Sequence, residues 1–300
     1  MTDRAAGIDV SRWQPVVDWP RVKLAGTSFV LVKATQGTSG IDDKFASHWA
    51  GAKSVGLLRG AYHFYQPTVN PVEQAQKFFN KIASDPGELP PVFDIETTGG
   101  VGPAGLRDGA AQWLQEVERL LGRRPILYTR ASYWNIYLRD LKSGQYPDWT
   151  ANYPLWTAHY TTGPKPMLPK GWNAWTIWQY TESGALDGIR GKVDRNWYNG
   201  TAQELTDWVN AGGSQPLAPV PDEPVSFAAE EEVLPTTTNQ DVINGFIAAF
   251  GNSFWEFLQR TDLESLSRDR ESPYFGPAID AMPNLTDEEK GQLRAALTIE

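Results

Sequence analysis

Asp94 and Glu96 stand two residues apart in Pro91-Val-Phe-Asp94-Ile-Glu96, a short apolar run that predicts a β-strand. A period of two puts both carboxyls on one face, with Phe93 and Ile95 on the other. The loop-like run Thr97-Thr-Gly-Gly-Val-Gly follows at once, so the acids fall where the strand opens. Glycoside hydrolysis needs such a pair: one carboxylic acid protonates the leaving oxygen, and another group supports the cation-like centre. A salt-bridged strand end is the plainer reading, but two buried acids side by side are costly unless paired. Asp9, in Gly7-Ile-Asp-Val-Ser11, and Asp194, in Gly191-Lys-Val-Asp-Arg-Asn196, end the first and last predicted strands. In a closed barrel those strands are neighbours, and the four acids would share one pocket.

The elements that must hold them are legible as an alternation. Apolar runs predict strands over 7–10, 29–34, 57–65, 91–96, 126–129, 155–159, 175–180 and 192–195. Helical periodicity marks 45–54, 71–83 and 104–121; the last presents Leu106, Ala110, Trp113, Leu114, Val117 and Leu121 on one face. Strand–helix alternation with about eight strands predicts an α/β fold, a closed (β/α) barrel whose active site lies at the C-terminal strand ends. Between 146 and 197 the connections look short, so the barrel should be irregular.

Residues 1–212 form this predicted catalytic barrel. Residues 213–238 hold five prolines and Glu230-Glu-Glu232, which predict an extended linker. Residues 239–300 read as a small helical module, with Val242, Ile243, Phe246, Ile247, Phe250 and Phe254 in one stripe and a capping box at Thr286–Glu289. That module suits wall binding, multimerisation or a phage-structural attachment. The net charge of −9 is uneven: the first 212 residues carry 22 Lys and Arg against 20 Asp and Glu, the remainder 5 against 16. The acidic tail disfavours nucleic acid and anionic membrane as partners.

Thirteen Trp and eleven Tyr suit either a large core or a carbohydrate cleft, where flat rings stack on sugar faces. Tyr62, Phe64, Tyr128, Trp175 and Tyr180 lie near predicted strand ends and are candidates for a sugar platform. Lys33 is placed to pair with a pocket carboxylate, whereas His63 is out of phase with Tyr62 and faces outward. The absence of Cys excludes a thiol nucleophile and Cys-based metal sites; three scattered His make a His-built metal site improbable, and no cofactor is implied. No apolar signal segment opens the chain and no run of membrane-spanning length occurs, so the expectation is synthesis in the cytosol without membrane insertion.

Five blocks carry a family resemblance: Gly7-Ile-Asp9-Val-Ser11-x-Trp13-Gln14, Phe29-Val-Leu-Val-Lys33-Ala-Thr35-Gln36-Gly37, Gly60-Ala-Tyr62-His63-Phe64-Tyr65, Pro91-Val-Phe-Asp94-Ile-Glu96 and Trp178-Gln179-Tyr180. In this order they resemble the Chalaropsis-type lysozymes, glycoside hydrolase family 25, over residues 5–200. The resemblance implies a modified β/α barrel that cleaves the β-1,4 bond between N-acetylmuramic acid and N-acetylglucosamine in bacterial peptidoglycan. It maps the family's acids onto Asp9, Asp94, Glu96 and Asp194, with Glu96 as general acid and Asp94 assisting. Whether Asp94 attacks the sugar or steers the substrate's acetamido group stays open at this point. A chain of this kind with a linker and second module resembles a phage endolysin, held in the host cytoplasm until lysis. The competing readings are a non-catalytic wall-binding or phage structural barrel and a glycosidase acting on chitin-like polymers.

Overall fold

The computed structural model describes residues 4–213. The chain divides into Met1–Asp222 and Glu223–Glu300; residues 214–238 of the predicted linker and the whole predicted helical module lie outside the described residues.

The strands are β1 (Ala6–Val10), β2 (Thr27–Gln36), β3 (Gly40–Ile41), β4 (Leu58–Phe64), β5 (Val92–Asp94), β6 (Ile126–Arg130), β7 (Leu155–Ala158), β8 (Ile177–Gly184) and β9 (Val193–Tyr198). Eight close in the order β1-β2-β4-β5-β6-β7-β8-β9, with β9 pairing back onto β1. The two-residue β3 adds a hairpin to the end of β2, Thr35 opposite Ile41. The helices are α1 (Trp19–Leu24), α2 (Phe45–Ser54), α3 (Pro71–Ile82), α4 (Pro103–Leu121), α5 (Ala131–Tyr137) and α6 (Ala202–Asn210).

Local chemistry explains the helix ends. Asn70 accepts hydrogen bonds from the Val72 and Glu73 amides while Pro71 supplies a ready helical φ, and α4 stops at Gly122, whose φ is +63°. Alternation along the strands builds two apolar layers. Val30, Val32, Phe93 and Leu127 face outward against Phe78, Trp113 and Leu114 of the helices. Phe29, Leu31, Val92, Ile126, Trp156 and Tyr198 face inward and fill the barrel. Leu205, Trp208 and Val209 of α6 join that inner cluster.

The barrel is irregular, as the sequence predicts, and the irregularity lies at its seam. Seven strands are parallel, but β9 is antiparallel to both β8 and β1. No α-helix intervenes between β7 and β9, as the loop-like sequence over 146–197 predicts; β8 still runs parallel to β7, whereas the short connection from β8 to β9 turns back antiparallel. The reversal changes why Asp194 is where it is. It opens β9 rather than ending it, and the antiparallel register brings it directly opposite Asp9.

Candidate active site

The mouth holds a cavity of about 500 Å³ bordered by Asp9, Asp94, Glu96 and Asp194. Each acid arrives on a different structural logic. Asp94 closes β5, in register between Phe64 of β4 and Tyr128 of β6. Glu96 lies just beyond the strand but keeps the inward phase. Asp9 and Asp194 face one another across the β1–β9 seam.

Asp9 is 5% exposed and Asp94 4%, yet their surroundings differ. Asp9 Oδ2 accepts from Gln179 Nε2 at 2.9 Å and Asn196 Nδ2 at 2.8 Å. Gln179 is itself oriented, because its Oε1 accepts from the hydroxyls of Tyr128 (3.0 Å) and Tyr160 (2.9 Å). Asn196 Oδ1 accepts from Trp156 Nε1 at 2.8 Å. Asp9 is thus a braced acceptor. Asp194 hydrogen-bonds to it; burial first, then the Asp9 charge, pushes the Asp194 carboxyl up to about 10, while Asp9, also raised by burial, is drawn back by its Asn196 and Gln179 donors.

The Asp94–Glu96 pair lacks such bracing. Asp94 Oδ1 is buried with no hydrogen-bond partner among the described residues. Burial and the neighbouring Glu96 carboxylate push Asp94 well above the usual range, while Lys33 opposes the shift. Glu96 is raised less: burial pushes it up, but Arg130, whose Nη2 lies 3.8 Å from Glu96 Oε2, and then Lys33 pull it down. Burial thus biases both carboxyls of this pair toward the protonated form.

The predicted sugar platform divides. Tyr62 and Tyr128 border the cavity. Phe64 lies beside Asp94 in the sheet, but its ring takes the Lys33 ammonium 4.5 Å from its centroid. Lys33 donates to Gln36 Oε1 at 3.0 Å rather than to an acid, and neither it nor Phe64 borders the cavity. Trp175 and Tyr180 are corrected outright: both lie away from the cavity. Trp175 precedes β8 and packs between the Arg4 guanidinium and Trp178. Tyr180 stacks on Trp197 at 5.1 Å and 13°. Period two assigns Ile177 and Gln179 of β8 to the interior, so the aromatic neighbours of Gln179 point out. His63, buried between Thr35 and Gln74, is pushed down to about 4 by burial and belongs to the outer layer.

Sequence reasoning missed Gln179, Trp156, Tyr160, Trp13, Glu182 and Lys192, all of which border the cavity. For Gln179 the sign was available: a lone amide inside an aromatic strand run needs a buried partner. Tyr160 and Trp13 sit in loops, where no periodicity shows which way a side chain points.

A closed barrel with two acid pairs at its mouth, one acid of each buried and the other half-buried, and tyrosines on the wall fits an acid-assisted hydrolase of the glycosidase class. Residues 8–189 match the model of Glycosyl hydrolases family 25, and the chain belongs to that family. The protein YegX of Escherichia coli K12 is 38% identical over 209 residues, covering 68% of this chain and 73% of that one. Lysozyme M1 of Streptomyces globisporus is 35% identical over 221 residues, covering 70% and 72%. The crystal structure of the bacterial lysozyme from Streptomyces coelicolor superposes with a TM-score of 0.64 at 34% identity, covering 71% of this chain and all of that one.

Proposed function

We propose that the protein is a peptidoglycan hydrolase, a muramidase that cleaves the bond from N-acetylmuramic acid to N-acetylglucosamine. Membership of family 25 and the lysozyme relatives support the substrate class. The observation that carries the chemistry is the unbraced pair, Asp94 and Glu96, opposite the braced pair in one cavity.

Asp94 Oδ1 needs a donor that the described residues do not supply. The acetamido N–H of a bound sugar is such a donor. Accepting it favours ionised Asp94, because hydrogen bonds to the charged form lower a carboxyl pKa. The proton then resides on Glu96, the acid nearer the mouth. Glu96 gives it to the glycosidic oxygen as the C–O bond breaks, and the leaving sugar departs neutral. The acetamido carbonyl oxygen, oriented through its N–H by Asp94, closes on the anomeric carbon. Water then opens that ring and Glu96 takes its proton, restoring the enzyme. Direct attack by Asp94 is the competing route; the missing donor favours the assisted one.

Glu96→Gln should abolish release of reducing ends from purified peptidoglycan while the thermal melt stays that of the wild type. A variant that still cleaves at near-wild-type rate sinks the assignment. Mass spectrometry of the wild-type fragments reads the bond: muramic acid reducing ends are expected, and glucosamine ends or digestion of chitin alone would refute it.

A further inference from the structure

Trp13 is 76% exposed, yet it borders the same cavity as the acids. Leaving an indole in water forgoes the gain of burying it, and a floppy loop would let it fold back. This loop is not floppy. Ser11 N donates to Gln14 Oε1 at 3.1 Å and Gln14 N to Ser11 O at 3.0 Å. Arg12 N donates to Asp42 Oδ2 at 3.1 Å, and Gln14 Nε2 reaches Lys192 O on the far side of the seam at 3.3 Å. His48, buried beneath, bonds Ser11 O at 3.2 Å. The backbone is pinned on three sides while its largest apolar ring is held out. Arg12 attends one face, its guanidinium 5.1 Å from the Trp13 ring.

The geometry points to Trp13 as a preset stacking platform for a sugar of the glycan strand beyond the one at Asp94 and Glu96. It stands on the β1 side of the mouth, and β2 and β4 separate β1 from β5. A single sugar held at the acid pair leaves the ring bare, whereas a longer strand crossing the mouth meets it. The role is binding of an extended substrate, and it rests on the muramidase reading above.

The test uses full-length Glu96→Gln, which holds glycan without cutting it, titrated calorimetrically with a disaccharide and an octasaccharide of alternating N-acetylglucosamine and N-acetylmuramic acid. Adding Trp13→Ala should weaken octasaccharide binding about tenfold and leave the disaccharide unaffected, and Trp13→Phe should restore most of the loss. An unchanged thermal melt is expected, since the ring touches no core. Equal octasaccharide affinity with and without the indole overturns the inference, and an equal loss at both lengths overturns its placement. Wild-type protein that fails to cleave peptidoglycan would instead overturn the muramidase reading, independently of either result.

Discussion

At the scale of single residues, the acids do different work because their neighbours differ. Arg130 holds Glu96 down against burial. Removing that charge in Arg130→Gln should raise the Glu96 pKa and move the alkaline limb of the kcat/KM profile up by about 1 unit; a limb that stays put or moves down would contradict the ion pair. Asp194 offers a stability test. Its carboxyl is raised from an ordinary 3.8 to about 10 on folding. The folded state therefore binds the proton more tightly, and the stability linked to this group is lost as pH rises from about 4 towards 10. Asp194→Asn removes that loss. It should be more stable than wild type at pH 8, by on the order of 1–2 kcal/mol, with the gap closing towards pH 4 in urea titrations. Asp94→Asn should lower kcat far more than it raises KM, because steering the acetamido group matters in the transition state; an effect on KM alone would count against it.

At the scale of elements, the strands were legible as short apolar runs, with a period of two as the rule for facing. In β2, Phe29 and Leu31 turn inward and Val30 and Val32 outward; with both faces apolar, the sequence does not say which is which. Asp94 and Glu96 were placed by the same rule. The rule failed on β8, where two aromatics flank the one residue that matters and composition pointed the wrong way. The antiparallel return of β9 was not legible either, since strand direction leaves no mark on a six-residue run. Helices α1 and α5 are too short for periodicity, while α6 carried an unread sign, the Thr201–Glu204 capping box. Packing between elements gives its own test at Gly7. It sits opposite Phe29 in the β1–β2 register, and a Cβ there would lie 2.3 Å from the ring. Gly7→Ala should cost about 1–3 kcal/mol of unfolding free energy. A melt equal to wild type would mean that the ring can move aside, and that the barrel floor is looser than its packing indicates.

At the scale of the whole molecule, α6 completes the barrel interior, and Gly213 donates to Trp208 O at 2.8 Å immediately after it. The catalytic barrel therefore carries all of its own walls. A chain ended at Asp222 should release reducing ends from soluble glycan fragments at the full-length rate, measured per molecule. A tenfold drop would show that residues 223–300 contribute to turnover itself. Adsorption of the two forms to purified cell walls separates wall binding by that segment from multimerisation, which light scattering reads directly. Composition sets the expected boundary near residue 212 through its shift in charge and proline, but it contains nothing that chooses among those roles.

The bracing of Asp9 has a further consequence, in time rather than in space. Its two donors, Gln179 and Asn196, come 170 and 187 residues later in the chain. A growing polypeptide emerging from the ribosome holds Asp9 long before either amide, which come only once β8 and β9 have been made. Contacts of such long sequence separation form slowly and late. Each molecule is therefore born without its finished site, and Asp9 gains its bracing only when the seam shuts.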